Sequence, residues 1–207
     1  MSGTIALGNS GLDISRLVLG GNVFGWNLTG DEAFRVLDRF VEGGGVMIDT
    51  ADVYSKWAPG NQGGESESLI GEWIRRRGRR HDVQIATKVG FDEGLAAATI
   101  ERGIEASLAR LGTDHVDLYF SHKDDLDTPL EETLQAFGRL VKAGKVRAIG
   151  ASQISADRLE EALEVSRREG LVSYSVLQTE YNLMDRSEYE GPLRDVVARH
   201  GLGMVAF

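Results

Sequence analysis

The chain has 207 residues, no cysteine and a formal net charge of −9, from 23 basic and 32 acidic side chains. That length can bury a sizeable core; the acidic balance weighs against a nucleic-acid partner, and the lack of cysteine excludes disulfides and thiolate metal sites. No apolar run reaches the ~18 residues of a membrane span, and the N-terminus lacks a basic stretch followed by an apolar one, so a cytoplasmic protein with neither a membrane nor a nucleic-acid partner is expected.

The chain opens with a hairpin signal, Thr4–Leu7 and Leu12–Ser15 around Gly8-Asn9-Ser10-Gly11. A short apolar strand follows at Leu17-Val18-Leu19-Gly20-Gly21. Thr29 is placed to cap a helix with Glu32 as its capping-box partner. Phe34, Leu37, Phe40 and Val41 mark the apolar face of that helix, and Gly43-Gly44-Gly45 stop it. Val46-Met47-Ile48-Asp49 is a strand ending in an acid, with Thr50-Ala51-Asp52-Val53-Tyr54 in the loop beyond.

The alternation then repeats. Helices are read around Leu69–Ile74, Ile100–Leu111, Leu130–Val141, Leu159–Leu163 and Leu193–Val197. Glycines at 78, 112, 144, 170 and 201 end them. Thr128, with Pro129 and Glu131, and Ser155 are expected to cap the third and fourth of these. Strands are read at Val83–Val89, His115–His122, Val146–Gly150, Ser175–Thr179 and Gly203–Phe207. The one basic cluster, Arg75-Arg76-Arg77-Gly78-Arg79-Arg80, reads as a solvated helix end rather than a phosphate site.

Seven strands and six intervening helices after a hairpin imply parallel βαβ units. An open doubly wound sheet and a closed barrel both fit. No Gly-x-Gly-x-x-Gly opens a helix after the first strand, which weighs against the nucleotide-binding open sheet. The expected fold is therefore an α/β (β/α)8 TIM barrel with an N-terminal hairpin. Seven of its eight strands lie in this chain, so residues 1–207 read as one barrel domain, incomplete at the C-terminus.

In such barrels chemistry collects at the C-terminal strand ends. Asp49, Tyr54, Lys88, His122, Ser152, Gln153, Gln178 and Phe207 all fall there. Each alone has a plain reading: a cap partner, a packed ring, a snorkelling lysine, a satisfied histidine. Together they are harder to set aside. Lys88 lies in a strand buried on both faces and needs a counter-charge, and Asp49 is the nearest candidate. The ammonium would lower the pKa of Tyr54 and make it a general acid near neutral pH. His122 would orient a substrate carbonyl. No side chain supplies hydride, so this reading implies a nicotinamide. Asp52 is left as a structural acid, a loop or cap partner. No His-x-His pair ends a strand, so no metal is expected.

The chain resembles an aldo-keto reductase. The resemblance is carried by Leu19-Gly20-Gly21, Ile48–Tyr54, Ala86-Thr87-Lys88, Asp117–His122 and Gly144–Ser152, in order and spacing along almost the whole chain. It implies a catalytic tetrad of Asp49, Tyr54, Lys88 and His122, a small carbonyl substrate, and NADPH bound across the rim, with NADH still open. Cofactor contacts would come from Gly21, Asn22, Val23, Asp49, Ser152, Gln153, Gln178 and Phe207. Two departures stand out: the family commonly has asparagine where Gln153 stands, and more often tyrosine than phenylalanine at Phe207. Its phosphate-binding segments follow strands seven and eight and have no counterpart here.

Phe24, Trp26 and Trp57 are candidate substrate-pocket walls, with loop packing as the alternative. The Gly-containing loop from Lys56 to Gly64 is a candidate cover. Two other functions stay open: a barrel lyase forming a Schiff base on Lys88, and a non-catalytic nicotinamide-binding subunit or sensor. The sequence leaves the physiological substrate and the oligomeric state open.

Overall fold

A computed structural model describes residues 3–207. Strands β1 (Ile5–Ala6) and β2 (Asp13–Ile14) form the antiparallel hairpin. The remaining strands are β3 (Leu19–Gly20), β4 (Met47–Asp49), β5 (Gln84–Val89), β6 (Val116–Ser121), β7 (Val146–Ser152), β8 (Val176–Thr179) and β9 (Gly203–Ala206). They pair in chain order, every neighbour parallel. Helices α1 (Gly30–Glu42), α2 (Glu65–Arg77), α3 (Ala97–Leu111), α4 (Leu130–Lys142), α5 (Ala156–Glu169) and α6 (Pro192–His200) provide the crossovers. Among the described residues no helix is long and apolar enough to cross a membrane.

The sheet is curled. Strands β4 and β8 are four positions apart, about 19 Å in a flat sheet at ~4.8 Å per strand. Yet Gln178 Nε2 donates to Asp49 Oδ1 at 3.1 Å, which only closure around an interior allows. The seven strands are seven staves of a (β/α)8 barrel.

Strand periodicity then divides the side chains into two cores. Those facing the helices, among them Ile48, Ile85, Tyr119 and Leu177, join the apolar stripes of the helices in the larger cluster. Those facing inward, Met47, Ala86, Leu118, Phe120, Ala148 and Val176, meet Leu7, Leu12 and Ile14 of the hairpin in a smaller one. The hairpin thus plugs the N-terminal mouth, and Gly8 bridges to Leu202. A Cβ on Gly150 would stand 2.4 Å from the Phe120 ring, so glycine there lets Phe120 fill the barrel below the rim.

Helix ends differ from expectation in two places. Thr29 occupies the α1 N-cap without a side-chain bond; the position is exposed, where solvent can serve the free amides. The Thr128 hydroxyl donates to Asp125 Oδ2 at 2.7 Å instead of capping, and α4 starts after Pro129. Ser155 does cap α5, accepting from the Arg158 amide at 3.2 Å. Four of the five arginines in the basic cluster pair with carboxylates: Arg76 with Asp31 and Glu72, Arg77 with Asp38 and Asp82, Arg79 with Asp82, and Arg80 with Asp117.

Candidate active site

The polar layer of the rim follows from strand alternation. Asp49, Lys88 and Gln178 each stand two residues beyond an inward apolar residue, Met47, Ala86 and Val176. They therefore face the same interior, one step nearer the C-terminal mouth. Ser152 is buried at the end of β7, in register with Gln178.

Lys88 has no solvent exposure. Its Nζ donates to Asp49 Oδ2 at 2.7 Å, to the Thr50 carbonyl at 2.7 Å and to the Tyr54 hydroxyl at 2.9 Å. All three ammonium protons are thus used, as a buried cation requires. Burial alone would lower the lysine's pKa, but the Asp49 carboxylate and the Tyr54 contact outweigh it, and the pKa is raised. The ammonium therefore contributes stability that is complete below its ordinary 10.5 and fades only as pH climbs through the higher folded value. Lys88→Met should cost about 3–5 kcal/mol, because Asp49 would stay buried without its counter-ion. Denaturant unfolding checks this, and an unchanged midpoint would mean that the pair contributes no stability.

Tyr54 corrects one expectation. Lys88 does pull its pKa down, but burial and the nearby Asp49 carboxylate prevail, and the net shift is upward. The phenol keeps its proton through the neutral range. Its bond to Asp49 Oδ2 is long, 3.5 Å, so the hydroxyl proton has no strong internal acceptor. The loop is pinned beside it by Ser55, which sits at φ +70°. The Ser55 hydroxyl donates to the Phe24 carbonyl at 2.7 Å. Such backbone strain in a non-glycine residue is paid for by its surroundings. Nothing in the sequence singled Ser55 out.

His122 follows β6 and is nearly buried. Burial first, and then Lys88, depress its pKa from 6.5 to about 3. Its Nδ1 is buried without a partner, which leaves Nε2 as the ring nitrogen for a ligand. The His122 ring packs 4.9 Å from Phe91 and 5.9 Å from Tyr54. With Val53, Lys56, Trp57 and Asp92, these three rings line an apolar cavity of about 380 Å³.

The expected pocket walls fare unevenly. Trp57 lines this cavity. Trp26 does not, but meets Trp57 edge-on at 5.8 Å. Phe24 has no exposed surface and belongs to the helix-side core, because its turn folds inward under Leu28. Phe91 takes the place expected of it, from a loop the sequence reading passed over. The loop from Lys56 to Gly64 is tied down: Asn61 donates to the Gly25 and Ser55 carbonyls, and Glu65 accepts from the Gln62 and Gly63 amides.

The expected cofactor contacts spread over the other half of the rim. Gly21 donates its amide to the Asp49 carbonyl at 2.7 Å, and a Cβ there would come within 2.9 Å of that oxygen. Asn22 is exposed, while Val23 is half-buried against the helix-side core. Gln153 does not extend into the rim: at φ +47° its side chain donates to the His122 carbonyl at 3.1 Å. Gln178 is turned to Asp49. Phe207 is more than half exposed and, with Gln153, Ile154, Thr179 and Leu193, lines a cavity of about 700 Å³. Among the described residues no cluster of three metal-binding side chains occurs.

The chain is similar to known proteins along almost its whole length. The Aldo/keto reductase family pattern matches residues 16–207. An uncharacterized oxidoreductase of Bacillus subtilis, YrpG, is 37% identical over 97% of this chain and 64% of its own length. A probable voltage-gated potassium channel subunit beta of Oryza sativa subsp. japonica is 35% identical over 97% of this chain and 62% of its own. Norsolorinic acid reductase stcV of Emericella nidulans is 34% identical over 94% and 54%. The chain belongs to the aldo/keto reductase family. It spans between 54% and 64% of the length of these relatives.

Proposed function

We propose that the protein reduces aldehydes or ketones to alcohols with NADPH, or with NADH in its place, and that Tyr54 is the acid. The observation that carries this is the Lys88 ammonium, bound at once to Asp49 and to the Tyr54 hydroxyl, beside a cavity lined by His122. The rim offers a nicotinamide Ser152 and Gln178, in register at the strand ends, and the Phe207 ring on a neighbouring cavity, while the Gln178 amide would have to leave Asp49 and the Gln153 amide the His122 carbonyl to reach it. When bound, the nicotinamide supplies hydride to the carbonyl carbon.

The chain's own residues do the rest. Neutral His122 donates a hydrogen bond to the carbonyl oxygen and fixes its direction. Tyr54 gives its proton to that oxygen as the carbon is reduced, so the product leaves as a neutral alcohol. The ammonium beside the phenol stabilises the phenolate left behind, and Asp49 holds the ammonium there. Asp49, Tyr54, Lys88 and His122 act as one unit, and the aromatic cavity receives the apolar part of the substrate. A Schiff base on Lys88 fits less well, since it needs a lysine with a depressed pKa, whereas here it is raised.

The test is consumption of NADPH with a generic aromatic aldehyde. Failure of the folded protein to bind either nicotinamide sinks the reading. The similarity to a channel beta subunit supports a second one, a nicotinamide-binding subunit; tight cofactor binding without turnover of any carbonyl selects it. The ionisations predict a pH profile. With His122 pushed to about 3, its protonation leaves no step between pH 5 and 8. Ionisation of Tyr54 itself, raised by burial, removes the acid only in the alkaline range. A reduction profile with a midpoint near 6.5 that disappears in His122→Gln would contradict this.

A further inference from the structure

A second polar group lies behind the candidate site, on the helix side of the sheet. Glu67 of α2 has no exposure. It accepts from Thr87 Oγ1 at 2.5 Å and from Arg110 Nε of α3 at 2.6 Å. Asp52 sits beside this pair in the loop that carries Tyr54. Its backbone amide donates to the Lys88 carbonyl at 3.3 Å, and its own carbonyl lies against Gly63. Asp52 Oδ1 is nonetheless buried without a partner, and so is the Tyr119 hydroxyl of β6. Asp52, expected as a loop or cap partner, takes a bond from the Val53 amide in its loop but keeps one carboxylate oxygen unpaired. Arg110 is ion-paired with Glu67 and reaches Asp52 only through space.

Asp52 has somewhere to go. A cavity of about 300 Å³ adjoins it, lined by Val53, Lys56, Gly63, Arg102 and Arg110. Lys56 and Arg102 pair with Asp92 and Glu93 at the mouth. The charged and titratable groups around Asp52 are thus Glu67 from α2, Arg102 and Arg110 from α3, Lys88 from β5, Tyr119 from β6, Lys56 from its own loop, and Asp92 and Glu93 from the loop after β5.

We propose that Asp52 is a proton-linked positioning residue for the Tyr54 loop: protonated, it stays seated between Tyr119 and Glu67; ionised, it turns toward the basic side of the adjoining cavity and loosens Val53 to Trp57. Charge in the seated position is opposed by burial and by the Glu67 carboxylate. Burial first, then Glu67, push the Asp52 pKa up from 3.8 to about 7, with Arg110, the Val53 amide and Lys88 pulling the other way. The exchange therefore falls in the neutral range. The sign is fixed: the seated form is complete below pH 3.8 and is lost as pH rises through about 7.

Trp57 reports the loop, its ring lying 6.1 Å from that of Tyr54. Tryptophan fluorescence of the full chain, titrated from pH 5 to 9, should show a transition with a midpoint near 7. Asp52→Asn, which is isosteric and cannot ionise, should abolish it. Glu67→Gln removes the like charge and frees Arg110, so it should move the midpoint to lower pH. A transition unchanged in Asp52→Asn belongs to another group, such as an exposed histidine, and overturns the proposal, as does a wild-type signal that stays flat. A midpoint unmoved in Glu67→Gln overturns the part given to the Glu67 carboxylate.

This titration is read without turnover and so does not depend on the reductase reading. Only its consequence for catalysis does: above the midpoint kcat/KM should decline in the wild type and stay level in Asp52→Asn. Absence of turnover with the titration intact would defeat the reductase reading alone.

Discussion

Tyr54→Phe is expected to lower carbonyl reduction by about 10²–10⁴-fold, the range typical of a removed general acid, while nicotinamide affinity stays as it was. The substitution deletes one oxygen. That oxygen is the acceptor of a 2.9 Å bond from Lys88 and the proposed source of the transferred proton. Lys88 keeps its bonds to Asp49 and the Thr50 carbonyl, so the ammonium remains paired and the fold should hold. On the proposed reading, substrate and cofactor would lie beside the ring and lose no contact that binds them. The loss should therefore appear in kcat, with cofactor quenching of tryptophan fluorescence unchanged. Wild-type turnover in this variant would move the acid role elsewhere.

Asp117→Ala should lower stability by about 3–5 kcal/mol, as expected when one partner of a buried ion pair is removed. At this size that is roughly 10 °C in Tm. Asp117 is 1% exposed. Its Oδ2 accepts from Arg80 Nη2 at 2.9 Å and from the Ile85 amide at 2.8 Å, and its Oδ1 meets Arg147 at 2.9 Å. Arg147 is mostly exposed and contributes little. The cost comes from the Ile85 amide, left without its acceptor, and from the half-buried Arg80, which keeps its bonds to the Val83 and His115 carbonyls but loses its counter-charge. Asp117 is the second residue of β6 and His122 follows the strand's end, about 16 Å away at ~3.3 Å per residue. Any turnover at low temperature should therefore be nearly normal. A variant that melts with the wild type would show that the triad contributes no net stability.

The fold was legible because each unit announced itself locally. Apolar runs such as Val83–Val89 read as strands, and glycines at 78, 112, 170 and 201 ended helices as αL caps. The Asp49–Lys88 pair was legible because a lysine in a doubly buried strand demands a counter-charge. What was not legible depends on competition between distant groups. The direction of the Tyr54 shift is a contest between burial and charge, and no spacing encodes its outcome. The Gln178–Asp49 bond joins residues 129 apart and exists only because the sheet curls. Phe24 and Phe91 are alike as letters; a turn buries one and leaves the other on the cavity. Thr128 had two plausible hydrogen-bond partners, and the nearby Asp125 won over the helix amides.

The hairpin plug has a consequence for biosynthesis. Its residues are made well before Leu202 and Gly203, yet Gly8 bridges to Leu202 and packs against Gly203, where a Cβ on Gly8 would come within 2.0 Å of the Gly203 amide nitrogen. Leu7, Leu12 and Ile14 can find Met47 and Ala86 early, but their seat is finished only when β9 arrives. Until then the nascent chain carries an apolar hairpin with an incomplete receptor, the kind of surface that chaperones bind. The hairpin is thus secured late, and a ribosome stalled before residue 202 should present it to solvent or to a holdase.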